Sequence, residues 1–119
     1  MAKILVTDDE KTCRESIQMV LEREGHEVET AVSVDNALER LGSRNFDLVV
    51  CDYRMPGKSG IDLLTELAKR GSEVPVIMIS AYADYRTELV ARAMGAAEML
   101  RKPIRRKDLI ESTIRAMGG

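Results

Sequence analysis

Five polar residues stand where apolar runs of this chain end: the pair Asp8-Asp9, then Asp52, Ser80 and Lys102. Three carboxylates brought together repel one another and raise each other's pKa unless a cation joins them. An acidic, all-oxygen cluster suits a hard cation, and magnesium is the usual one where a phosphate shares the coordination. Lys102 adds a point charge for a phosphoryl oxygen, and Ser80 adds a hydroxyl donor for another. Phosphoryl transfer needs mainly positioning and charge neutralisation, which these groups supply. One carboxylate must then be the nucleophile, forming an acyl phosphate. Asp52 is the best candidate, because its strand is central and the chain turns just beyond it at Pro56-Gly57.

The elements that carry these residues alternate. Residues 3–7, 46–51 and 74–79 read as strands by their Ile and Val content and are almost wholly apolar, as strands covered on both faces are. Residues 27–32 alternate Glu with Val and Thr, and 97–101 carry Glu98 and Arg101, so these two read as edge strands. Amphipathic helices lie between. Residues 11–24 place Cys13, Ile17, Val20 and Leu21 on one face and stop at Gly25. A second helix, capped by Ser33, uses Val34, Ala37, Leu38 and Leu41 and stops at Gly42. A third, 59–70, uses Leu63, Leu64, Leu67 and Ala68 and stops at Gly71. Residues 84–94 form a weaker, alanine-rich helix before Gly95. Residues 107–117 close the chain with Leu109, Ile110, Thr113, Ile114 and Met117.

Five strand–helix repeats predict an α/β fold, a flavodoxin-like doubly wound parallel sheet of order 2-1-3-4-5 with helices on both faces. In such a sheet the five polar residues sit at the carboxyl ends of strands 1, 3, 4 and 5 and converge on one rim. Each alone has an ordinary structural reading: Asp8-Asp9 or Ser80 as helix caps, Asp52 as a turn, Lys102 as a solvated cation. Their convergence on one rim is what favours a site.

With 119 residues, 45% apolar and 32% charged, the chain suits one compact domain, taken as 1–119. A net charge of −2 gives no push toward nucleic acid or membrane. No signal-like or spanning apolar stretch is present, so the cytoplasm is the expected compartment. Cys13 and Cys51 make no disulfide framework; Cys51, in an apolar run, is expected to be a reduced, buried thiol. The terminal Gly118-Gly119 is compatible with a cut from a longer protein carrying an output domain beyond Gly119 and equally with a domain that works alone. His26 is expected at the surface, the seven methionines as packing residues. Arg101, Arg105, Arg106 and Lys107 read as mixed-charge surface rather than a nucleic-acid patch.

The motifs Val6-Thr7-Asp8-Asp9-Glu10, Asp52-Tyr53-Arg54-Met55-Pro56-Gly57 with Gly60, Ile79-Ser80-Ala81, Gly95-Ala96 and Lys102-Pro103 follow in an order and spacing that resembles the receiver domains of two-component response regulators. The likeness covers essentially the whole chain. The segment after Asp52 looks most like receivers of enhancer-binding transcription activators. The resemblance implies a signalling switch, not a turnover enzyme, that catalyses its own phosphorylation at Asp52 and its own dephosphorylation. It implies a sensor histidine kinase or phosphotransfer protein as donor, and Mg2+ held by Asp8, Asp9, Asp52 and the backbone carbonyl of Arg54. It further implies Ser80 and Lys102 as phosphoryl-binding groups and a cis Lys102–Pro103 bond. Arg54 and Tyr82 stand where the family flanks the attacking water. Signalling would run through the fourth helix, fifth strand and fifth helix, a surface that would also serve a homodimer. There Met99 replaces the usual Tyr or Phe of the switch.

Two other readings share part of this chemistry. An aspartyl-phosphate hydrolase of the haloacid-dehalogenase kind would need Asp-x-Asp after one strand, whereas Asp52 is followed by Tyr53-Arg54. A nucleotide or flavin binder would need a Gly-rich loop after strand 1, where this chain has Asp-Asp-Glu-Lys.

Overall fold

The computed structural model describes residues 1–81 and 84–118. They form β1 (Lys3–Thr7), α1 (Lys11–Arg23), β2 (Glu27–Ala31), α2 (Val34–Ser43), β3 (Leu48–Asp52), α3 (Gly60–Lys69), β4 (Val76–Ser80), α4 (Tyr85–Ala93), β5 (Glu98–Arg101) and α5 (Arg106–Ala116). All strand pairs are parallel and the order is β2-β1-β3-β4-β5, as predicted. β3 and β4 are buried throughout, while β2 and β5 retain exposed or half-buried positions, which fits their places at the edges.

Side chains of successive strand residues point to opposite faces, and the core divides accordingly. Ile4, Val6, Leu48, Val50, Ile77 and Ile79 pack with Ile17 and Leu21 of α1 and Leu109 of α5. Leu5, Val49, Cys51 and Met78 pack with the buried residues of α2, α3 and α4. Two predicted apolar positions depart from this: Ala68 and Ile114 are exposed, on the outer margins of α3 and α5.

β3 and β4 begin later than predicted, and the cause is local. Lys3 N donates to Asp47 Oδ2 (2.8 Å) and Asp47 N to the Lys3 carbonyl (2.7 Å), which closes off the entry to β3 before the ladder starts. Pro75 has no N–H to contribute at the entry to β4. Asp52 and Ser80 are the last residues of their strands, held by the ladder, rather than the first residues beyond it. The expected stops at Gly25, Gly71 and Gly95 have φ of 90°, 68° and 109° and leave the helix in the left-handed region that glycine favours. Gly42 does not stop α2. The helix runs on to Ser43 and ends at Arg44, which is extended and pairs with Glu29 at 2.7 Å.

The start of α3 lies close against the sheet. Gly60 N donates to the Tyr53 carbonyl (2.9 Å), and a Cβ on Gly60 would meet Met78 Sδ and would sit 2.9 Å from the Asp52 carbonyl oxygen. Gly60→Ala should therefore cost about 1–3 kcal/mol of stability through overpacking. Gly42→Ala, with only an Arg70 guanidinium nitrogen at 3.9 Å, should instead gain about 0.5–1 kcal/mol from helix propensity. Urea denaturation of the two variants checks this opposition; a neutral Gly60→Ala would mean that α3 can shift off β3 freely.

Candidate functional site

At the carboxyl ends of β1 and β3 two aspartates are buried: Asp8 is fully so and Asp52 nearly so, while Asp9 beside them is exposed. One oxygen from each of the three carboxylates lies within 4.8 Å of the others. Lys102, the residue after β5, reaches across the rim, with its Nζ 2.8 Å from Asp52 Oδ2 and 3.4 Å from Asp8 Oδ2. Lys102 N also donates to the Ser80 carbonyl (2.9 Å), which ties the β5 exit to the end of β4. The Lys102–Pro103 bond is cis.

Asp8 is fixed at its main chain and at one carboxylate oxygen. Its N–H donates to the Ala31 carbonyl (3.1 Å), its own carbonyl accepts from Arg14 Nη1 (2.9 Å), and its Oδ1 accepts from Glu10 N (2.9 Å). That leaves Oδ2, which is buried and has no hydrogen-bond partner among the described residues. A buried carboxylate oxygen without a hydrogen bond is costly, and the Lys102 ammonium 3.4 Å away, shared with Asp52, compensates it only in part. All-oxygen donors, excess negative charge and one unsatisfied buried oxygen together fit a hard divalent cation such as Mg2+.

The electrostatics follow from the crowding. Burial pushes the Asp52 carboxyl up, the hydrogen bond from Lys102 pulls it down and the Asp8 charge pushes it up again; the balance is above the ordinary carboxylate value. For Lys102, burial works against the charge, but Asp52 and Asp8 outweigh it and the ammonium is held above its usual range. Burial and the neighbouring Asp8 push the Cys13 thiol up to about 12, so it stays protonated and unreactive. Cys51 is buried beside Asp52 and likewise pushed up.

Of the residues expected from sequence, Asp8, Asp9, Asp52 and Lys102 form one cluster. Asp52 Oδ1 accepts from Arg54 N (3.3 Å), so the turn that carries the Arg54 carbonyl is attached to the site, with the Arg54 side chain exposed. Ser80 is buried at the end of β4, and strand alternation assigns it to the face of Met78 and Met99. Met99 pairs with Met78 in register and is half-buried against the α2/α3/α4 core. Tyr82 lies outside the described residues. His26 is half-buried rather than a plain surface residue, because its Nδ1 accepts from Ala2 N at 3.1 Å. Arg14 escapes a reading by periodicity: the amphipathic pattern of α1 says nothing of a side chain that turns back to a loop carbonyl.

Because the folded-state pKa of Asp52 lies above its unfolded value, its ionised form destabilises the fold, and the penalty grows as pH rises past the unfolded value of about 3.9. Asp52→Asn should accordingly raise the thermal midpoint at pH 7, with the gain disappearing below about pH 4. Lys102→Met leaves Asp8 and Asp52 facing each other and should cost about 3 kcal/mol. Calorimetric scans across pH test both signs; an Asp52→Asn protein less stable than the parent at pH 7 would contradict the balance described for this carboxyl.

The model of the response regulator receiver domain family matches residues 4–114. Similar proteins include the response regulator protein PilR of Pseudomonas aeruginosa, 35% identical over 95% of this chain and 26% of that protein. The two-component response regulator PhoP of the same organism is 32% identical over 90% of this chain and 48% of that protein. The chain thus spans between a quarter and a half of the length of these relatives. Among solved structures, the chemotaxis protein CheY4 of Vibrio cholerae superposes with a TM-score of 0.92 at 27% identity, covering 98% of both chains. The receiver domain of NtrX from Brucella abortus does so with 0.90 at 37% identity, covering 96% of this chain and 97% of that one. No helix among the described residues is long and apolar enough to cross a membrane. The fold, the acidic rim and these likenesses agree, and the chain belongs to the family of response regulator receiver domains.

Proposed function

We propose that residues 1–119 form one receiver domain in which Asp52 accepts a phosphoryl group from a sensor histidine kinase or phosphotransfer protein and so controls an output in transcription. One observation carries the reading: the buried Asp8 Oδ2 has no hydrogen-bond partner among the described residues, and the one ammonium beside it, Lys102 at 3.4 Å, is shared with Asp52. Asp8, Asp9, Asp52 and the Arg54 backbone carbonyl would hold Mg2+, which when bound supplies positive charge for the phosphoryl oxygens. An Asp52 carboxylate oxygen attacks phosphorus, forming the O–P bond as the P–N bond to the donor histidine breaks. The imidazole nitrogen leaves with the bonding pair and takes up a proton. Lys102 turns from the Asp52 carboxylate to a phosphoryl oxygen, and the Ser80 hydroxyl donates to another. Hydrolysis reverses the loading, water replacing the aspartyl oxygen on phosphorus, so the domain resets itself and acts as a switch. Cytoplasmic placement follows from such a donor.

Incubation with acetyl phosphate and Mg2+ should label Asp52 alone, as mapped by mass spectrometry. The label should vanish with EDTA and in Asp52→Asn; undiminished labelling of that variant would overturn the assignment.

The output surface proposed is α4, β5 and α5, serving a second copy of the chain or an output domain. α4 has a single buried residue, Ala91, and exposes Tyr85, Leu89, Val90 and Met94. Around them Arg86, Glu88, Arg92, Glu98, Arg101, Arg105 and Asp108 mix charge signs, which a two-fold contact can match against itself. Ser80 and Met99 share a face with α4, so a hydroxyl drawn to the phosphoryl group is felt there, with Met99 a weak contributor because methionine repacks easily. Beryllium fluoride, a phosphoryl mimic, should shift α4 amide resonances in both wild type and Met99→Ala and raise the scattering mass. Loss of the α4 shifts in Met99→Ala would make Met99 the main switch, and an unchanged mass at high concentration would remove the dimer.

A further inference from the structure

The start of α1 departs from the rules that govern the other helices. At an N-terminus the free N–H groups and the helix dipole favour a capping oxygen and acidic side chains. α2 is capped by Ser33, which accepts from Asn36 N at 3.0 Å, and carries Asp35 in its first turn. Ser59 N donates to Asp62 Oδ2 (2.7 Å) at the start of α3, and Asp84 accepts from Thr87 N (2.8 Å) at the start of α4. α5 lacks a side-chain cap but has Asp108. α1 has neither: Glu10 makes no capping bond, and alone among the five helices α1 has no acidic residue in its first turn. Lys11 and Arg14 stand there instead.

Arg14 is thus a cation at the electrostatically wrong end of a helix. It is half-buried, and its guanidinium reaches back to the Asp8 carbonyl at 2.9 Å. Local rules broken without local gain mark functional positions. Here the gain lies in the loop. With the Asp8 N–H tied to β2 and its Oδ1 to Glu10 N, the Arg14 bond fixes the remaining main-chain group. The Asp8 side chain then keeps its bond to Glu10 and holds Oδ2 toward Asp52 and Lys102.

We propose that Arg14 is a positioning residue: it holds the β1–α1 loop so that Asp8 Oδ2 is presented to the cation in the acidic rim. The role rests on the reading that this rim binds Mg2+. Partners that orient a ligating carboxylate typically change metal affinity by about 10–100-fold. Simple electrostatics makes the opposite demand, because a positive charge near the rim repels a cation, and its removal would tighten binding. The two effects therefore differ in sign.

Mg2+ titration by calorimetry of wild type, Arg14→Met and Arg14→Lys decides between them, alongside hydrogen exchange of the Glu10 amide in EDTA. Arg14→Met should bind Mg2+ about tenfold more weakly, with the Glu10 amide exchanging faster before any metal is added. Arg14→Lys, which keeps a donor and the charge, should recover part of both. Equal or tighter binding in Arg14→Met overturns the role, as does weaker binding with unchanged Glu10 exchange. Denaturation midpoints in EDTA show that the variants are folded. If wild type takes up no Mg2+ while remaining folded, the reading of the rim fails and the role of Arg14 falls with it.

Discussion

The contact between Lys102 and the two buried carboxylates is the constraint to which the rest of the molecule answers. Two carboxylates this close cannot be buried together without a counter-charge, since desolvation alone costs several kcal/mol per ion. Lys102 answers both at once, 2.8 Å from Asp52 and 3.4 Å from Asp8. One ammonium cannot satisfy three acids, and the exposed Asp9 keeps the rim negative. This leaves a site stable enough to fold and still short of positive charge. The same shortage leaves Asp8 Oδ2 with the shared Lys102 ammonium at 3.4 Å and no hydrogen-bond partner among the described residues: a further donor would stabilise the fold and close the place a cation would take.

Holding such a cluster requires that its members arrive on rigid supports. Asp52 ends a fully buried strand, paired with Ile79 in β4. Lys102 is tied to β4 through the Ser80 carbonyl. Gly60 lets α3 start against the Asp52 carbonyl, where a side chain would force the two apart. Order on this side of the rim contrasts with α4, which buries only Ala91. A preorganised site beside an element of low local stability is a useful pairing: small changes at the site need move only the part that costs least to move.

Much of this was legible from the chain because the sheet makes it so. A polar residue at the end of an apolar strand stands out, and parallel topology sends all such ends to one rim, which is how Asp8, Asp52, Ser80 and Lys102 could be found without coordinates. Edge strands were legible for a related reason, since Glu27, Glu29 and Glu98 would be intolerable in a strand covered on both faces. The misses share a cause as well. Gly42 continues α2 because Arg44, pulled into an extended conformation beside Glu29, provides the exit, and that pairing joins residues distant in sequence. The later starts of β3 and β4 depend on Lys3, Asp47 and Pro75 competing for the ladder. Arg14 was invisible because periodicity reports which face a side chain occupies, not what its far end reaches.

Met99 shows how the packing bears on the proposed switch. In register it lies beside Met78, and Met78 also lies against Gly60 at the start of α3. Two flexible thioethers thus fill the space between the sheet and the α3/α4 layer. Such side chains adapt to a neighbour's shift at little cost, so they pass a displacement on without selecting between two discrete arrangements. A bound group biases an equilibrium only by its differential interaction with the two states. Where the side chain on β5 discriminates weakly, the discrimination has to come from the seating of α4 itself. Ala91 is its one buried residue, and Tyr85, Leu89, Val90 and Met94 remain exposed around it. A helix that gains so little from its own domain gains more from any partner that covers those four side chains. On the proposed switch, a surface that covered those side chains would add more to the difference between two seatings of α4 than Met99 does.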